Sequence, residues 1–171
     1  TVLSRGLGDV YKRQSHDGSK MFLIDVAGDN LKEYKTVAPF RSRNPTLINT
    51  VDLTSEAAID GTETAHDFFF DDTGRSLMIL VNDTGDGEHN DTIFQFSLSV
   101  AFDTTTLTLV GSSVISGYDG SEDNSDAVAI SFGNDGMRLY IMNLNGGPNV
   151  GGKVDTPVSY THLTLPTSPK V

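Results

Sequence analysis

The sequence predicts an all-β fold built from repeated units of four short antiparallel strands. Three observations lead there. Seventeen glycines in 171 residues, with abundant Asp, Asn, Ser and Thr, mark a chain with many turns. Apolar residues alternate in short runs, as where Phe94, Phe96 and Leu98 interleave with Ile93, Gln95 and Ser97. Residue words also recur: Gly74 to Gly136, Asp29 to Asp91, Phe40 to Phe102 and Ala65 to Ala127 are each 62 apart.

The elements follow in order. Three segments place an Asp/Thr-Gly turn before an alternating run: SHDGSKMFLID (15–25), FDDTGRSLMIL (70–80) and FGNDGMRLYIM (132–142). Glycine there supplies the positive φ of a hairpin turn. Gly18 and Gly74 are 56 apart, and the six-residue difference lies in an acidic loop, Asp83–Asn90. A second word, DNLKEYKT (29–36), returns as DTIFQFSL (91–98). The complete unit then has strands at 65–70, 76–82, 92–98 and 106–115. Four antiparallel strands per repeat make a β-propeller blade. The fold class is therefore a partial β-propeller of about two and a half blades. Blade one is partial (15–54), blade two is whole (64–116) and blade three is partial (126–157). Phe68, Phe69 and Phe70 are expected to pack between blades. GGPNVGG (146–152) reads as a flexible connector.

The two ends look foreign. One set of codons that encodes Asp9–Gln14, GAT GTG TAT AAG AGA CAG, has a reverse complement that reads Val-Ser-Tyr-Thr-His, the sequence of residues 158–162. SRGLGDVYKRQ (4–14) and VSYTHLTLPT (158–167) resemble the two orientations of a translated sequencing adapter. Such segments are set aside before fold reasoning. Residues 1–14 and 158–171 are expected to be adapter-derived, and 15–157 to be a slice of a longer propeller. The opening strand of blade one would have ended where Gln14 stands. The absence of a leader then carries no information.

Charge bounds the partners. The chain has 12 basic and 23 acidic residues, a net charge of −11. Without Arg5, Asp9, Lys12, Arg13 and Lys170, 8 basic and 22 acidic residues remain, for −14. Nucleic acid is repelled by such a field. No apolar run reaches the ~20 residues of a spanning helix, the longest being Leu77–Val81. With no cysteine, disulfides, thiolate metal sites and Cys nucleophiles are excluded.

FGNDGMRLYIMN and DTIFQFSLSVAFDTTT resemble bacterial propeller repeats of the broad YVTN and lactonase-like groups. The likeness covers most of 15–145 and lies in turn and apolar positions. It implies a propeller, and it carries over no catalytic residue.

Two loops hold candidate metal ligands. The loop 83–91 gathers Asp83, Asp86, Glu88 and Asp91 with two glycines, a flexible oxygen-rich set suited to Ca²⁺. The loop 118–126 offers Asp119, Ser121 and Asp123 at alternate positions, like the first half of an EF-hand. It has Asn124 in place of the glycine and Ile130 in place of the closing glutamate. A solvated acidic connector is the competing reading of both. His66 and Asp126 are candidates to face a central channel, where His66 would serve as ligand or base. Against this, neighbouring strand residues point to opposite faces, so His66 and Asp67 do not converge. His16 falls in a turn. There is no Gly-x-Ser-x-Gly elbow and no phosphate loop.

The leading expectation is a non-catalytic binding or scaffold propeller, extracellular or at the cell surface. It presents loops to protein or carbohydrate, packs against the remaining blades of its parent chain, and takes possible Ca²⁺ support as its only cofactor. A lactonase-like or other hydrolase with its site at the channel mouth is the alternative, and a repeat of a large adhesin is a third. An enzyme should bring polar residues from several blades to one mouth.

Overall fold

The computed structural model describes residues 10–25, 29–56, 63–83, 91–115, 125–133, 139–145 and 158–160. In chain order these contain β1 (Val10–Gln14), β2 (Lys20–Asp25), β3 (Asn30–Lys35), β4 (Thr46–Asp52) and a helical turn α1 (Leu53–Glu56). They continue with β5 (Glu63–Phe70), β6 (Ser76–Asp83), β7 (Thr92–Leu98), β8 (Leu107–Val114), β9 (Ser125–Phe132), β10 (Leu139–Asn145) and β11 (Val158–Tyr160). All pairings between these strands are antiparallel. The first sheet is ordered β1-β2-β3-β4, the second β5-β6-β7-β8 and the third β11-β10-β9. The chain is thus all-β, as its alternation and turn content predict, and the strands of the second sheet fall within two residues of the expected bounds.

Two short helical pieces were not anticipated, and one local rule explains both. The Asp52 carboxylate accepts from the Thr54 amide at 3.0 Å, which starts α1. The Asp103 carboxylate accepts from the Thr105 amide at 3.0 Å and starts a 3-10 turn at Thr104–Thr106. Asp-x-Thr satisfies an amide that the first turn leaves without a partner.

The sheets repeat in detail. Residues Ile48 and Val110, 62 apart, are bulged out of the β4 and β8 pairings. His66 and Val128, also 62 apart, are bulged out of β5 and β9. Both recurring words meet in each of the first two units. The turn glycines Gly18 and Gly74 have φ of +65° and +67°. Their carbonyls accept from the amides of Phe40 (3.0 Å) and Phe102 (2.8 Å). Those two residues hold left-handed φ of 58° and 55°. This is a costly conformation for a bulky side chain.

Two apolar layers join the three sheets. Phe22, Ile24 and Leu31 of the first sheet meet Phe68, Phe70, Leu77, Ile79, Phe94 and Phe96 of the second. Leu80 and Ile93 of the second meet Ala127, Ile130, Leu139 and Ile141 of the third. The second sheet is covered on both faces. That explains why Leu77–Val81 reads as a continuous apolar run rather than an alternation. The three phenylalanines divide as their alternation dictates, with Phe68 and Phe70 in the first layer and Phe69 against the second. Lys12, Arg13 and Gln14 occupy the corresponding places of β1, and all three are exposed.

Candidate functional site

Charged groups tie sheet to sheet. The Asp29 carboxylate accepts from the Ala65 amide at 3.1 Å, and the Asp91 carboxylate accepts from the Ala127 amide at 2.7 Å. The main-chain carbonyls of the same residues accept from Leu53 (2.9 Å) and Ile115 (2.7 Å). Every member of one set lies 62 residues from its counterpart. Each aspartate therefore closes its own unit and anchors the opening strand of the next.

Glu33 is buried and carries a second tie. Its carboxylate accepts from the Thr104 amide (2.8 Å), the Thr104 hydroxyl (2.6 Å) and the Lys20 ammonium (2.6 Å). Lys20 also donates to the Phe102 carbonyl at 2.7 Å, and Asn49 donates to the Thr104 hydroxyl at 2.8 Å. A third tie centres on Asp67, which is buried and accepts from the Ile130 amide at 3.0 Å and from the Arg13 guanidinium at 3.2 Å. Burial pushes the Asp67 carboxyl above its ordinary range, against the pull of the Ile130 amide and the Arg13 charge.

Where the hairpin ends of the opening strands meet, the three sheets border an open cavity of about 250 Å³. Phe69 and Phe102 line it, with His16 and Asp72 among its polar groups. His16 Nε2 stands 3.7 Å from Asp72 Oδ1, joining the first unit to the second. The His16 and Phe102 rings lie 6.1 Å apart. Arg13, Gln14, Asp71 and Ser131 complete the polar lining. Both partners of the His16–Asp72 pair are largely exposed, so water screens their attraction. Asp71 is committed to its own turn, where it accepts from the amides of Arg75 (2.9 Å) and Ser76 (3.0 Å).

The sequence candidates fall in several places. Asp86, Glu88, Asp119, Ser121 and Asp123 lie outside the described residues. The same holds for the 146–152 connector. Asp83 ends β6 and Asp126 lies in β9, and of these two only the backbone is described. The Asp91 carboxylate is buried against Ala127. His66 is half-buried at the β5 bulge and does not line the cavity. Among the described residues, no group of three His, Asp or Glu side chains is placed to hold a metal ion.

By sequence, His16 falls in a turn and Asp67 on the face opposite His66, and neither Asp72 nor Glu33 is singled out. The paired spacing of Asp29/Ala65 and Asp91/Ala127, each 36 apart, was a readable signal for the repeating tie. No comparable signal existed for Glu33, whose partner is 71 residues away.

No protein-family model matches this chain, and no curated protein matches it.

Proposed function

We propose that the chain is part of a β-propeller that works as a binding module, with its ligand site at the end where the opening strands converge. The observation that carries the reading is the splay of the sheets. Strands β2 and β5 are in contact, as are β5 and β9, whereas outer strand β4 reaches the second sheet at the Thr104–Thr106 turn. Sheets close at one edge and parted at the other are the wedges from which a ring is built. The ties repeating every 62 residues support one fixed step between neighbours.

The cavity favours a binder. Aromatic rings beside a few polar groups suit the apolar face of a sugar or a short peptide. Of the charged groups that line the cavity, Arg13 is paired with Asp67 and Asp71 is committed to its own turn, which leaves the exposed His16–Asp72 pair as a small polar set for a hydrolase. Calcium held by the 83–91 loop belongs to the same proposal, as support for the module. An extracellular or surface setting fits its acidic loops and lack of cysteine.

In this reading the end segments 1–14 and 158–171 remain adapter-derived. Backbone hydrogen bonds are independent of side chain, so a free sheet edge takes up any extended segment. β1 and β11 fill strand positions in this way, while His16, Asp72, Phe69 and Phe102 of the cavity lie between them in the sequence.

The test is calorimetric titration of the chain with soluble oligosaccharides and peptides, with and without millimolar Ca²⁺. Binding that weakens about tenfold in Phe69→Ala and Asp72→Ala, with melting unchanged in Asp72→Ala, is expected. Turnover of lactone or ester substrates that disappears in His16→Ala would replace the binder with the hydrolase.

A further inference from the structure

The sheet-to-sheet seating leaves one half of the same joint open at each end of the array. In the second unit, Phe102 packs against Phe22 and Phe70, with ring centroids 6.3 and 5.4 Å away. Two residues on, Thr104 is buried against Glu33. The loop 99–106 is thus a plug seated on the first sheet. In the first unit the corresponding loop holds Phe40 at 65% exposure and Val37 at 74%. Ser42, the counterpart of Thr104, is also exposed. The backbone is nevertheless preset: Phe40 has the same left-handed φ and the same bond to its turn glycine as Phe102.

The receiving face shows the complementary trend. Phe22 and Ile24 are fully buried in the first sheet, and Leu80 is buried in the second. Their third-sheet counterparts, Tyr140 and Met142, are 39% and 53% exposed. An unseated plug and an uncovered seat therefore stand at opposite ends of one molecule. The plug carries Arg41 and Arg43, a local positive charge that offsets part of the repulsion between two copies of net charge −11.

We propose that two copies of this chain associate head to tail. The Val37–Asn44 loop of each seats on the Tyr140/Met142 face of the other. The contact continues the step already made twice inside the chain. Three sheets from each copy give six, within the range of about four to eight in closed propellers. For the 171-residue chain two heterologous contacts close the pair; in the longer propeller of the functional reading the neighbouring blades take the same two places. This rests on the splayed-wedge part of the functional reading and not on the ligand, so the two fail separately.

The experiment is sedimentation and light scattering of the full chain across a concentration series. A closed pair at twice the 18.4 kDa chain mass is expected. Phe40→Asp and Met142→Asp alter exposed side chains, and each should weaken association at least tenfold with an unchanged circular dichroism spectrum. Mixing the two variants should restore a pair, because one intact plug and one intact seat remain between them. A monomer at every concentration overturns the proposal, and so does a pair that survives both substitutions. A mixture that stays monomeric overturns the head-to-tail arrangement, and an open ladder of masses overturns closure. Ligand titration of the monomeric variants reads the cavity independently of all these outcomes.

Discussion

Removing the Glu33 carboxylate should loosen the joint between the first and second sheets. Glu33→Ala strands three donors on two residues, the Thr104 amide and hydroxyl and the Lys20 ammonium. The Thr104 amide, in a residue 2% exposed, loses its acceptor, and the Lys20 ammonium loses its counter-charge. Breaking a buried ion pair from one side costs about 3–5 kcal/mol. Lys20 keeps its bond to the Phe102 carbonyl, and its side chain is 26% exposed, so its share falls below that range. The orphaned amide adds about 1–3 kcal/mol. Together these give roughly 3 kcal/mol, or a melting shift of about 6–12 °C for a chain of this size. Glu33→Gln keeps an acceptor for Thr104 and should cost about half as much. The assay is urea unfolding followed by circular dichroism in the Phe40→Asp background, which removes association from the measurement. A double-mutant cycle with Thr104→Ala should give a coupling of about 1–3 kcal/mol. A Glu33→Ala cost under about 1 kcal/mol with no coupling would refute the argument that this carboxylate joins the sheets.

Two further outcomes follow from particular residues. At Gly74, φ is +67° and an added Cβ would overlap the Phe102 ring, so Gly74→Ala should cost about 2 kcal/mol or more, while Arg75→Ala beside it should stay within about 0.5 kcal/mol in the same unfolding assay. Acid titration of the melting temperature should show opposite slopes from two aspartates. Asp17, held at about 2 by the Ser15 and Ser19 hydrogen bonds, favours the folded state above its ordinary value of 3.8, and that favour is lost as pH falls toward 2. Asp67 is raised by burial, so the folded state holds its proton more tightly and stability falls as pH climbs from 3.8 through the raised value. Asp17→Asn should flatten the first slope and Asp67→Asn the second. Unchanged profiles in both variants would contradict the assignments.

The elements were legible because their causes are local. A turn glycine with positive φ and an alternating run of six to eight residues set each hairpin of the second sheet within two residues. Asp52 and Asp103 show a missed local rule: Asp-x-Thr was present, and it announced both helical turns. The site was less legible. In Asn30–Lys35 the alternation sets Glu33 on the face of Leu31, between Leu31 and Lys35, and nothing local says what will cover that face. In the folded chain that face is covered by the next sheet, and a carboxylate there is tolerated because Lys20 and Thr104 meet it. His16 sits in an ordinary turn by sequence, and Asp72, 56 residues away, comes beside it only when the first and second sheets pack.

By itself, the sequence determined an acidic, cysteine-free, all-β chain of strands recurring every 62 residues, because period, turn chemistry and composition act over a few residues at a time. Only the tertiary structure decided which faces are shared. Two sheets buried against neighbours turn polar positions such as Asp29, Glu33, Asp67 and Asp91 into interface bonds. They also bring His16 and Asp72 to one cavity and leave Phe40 and Met142 uncovered at opposite ends. The physical reason is that burial and pairing depend on chain segments 36 to 71 residues apart, and no local pattern specifies what those segments will cover.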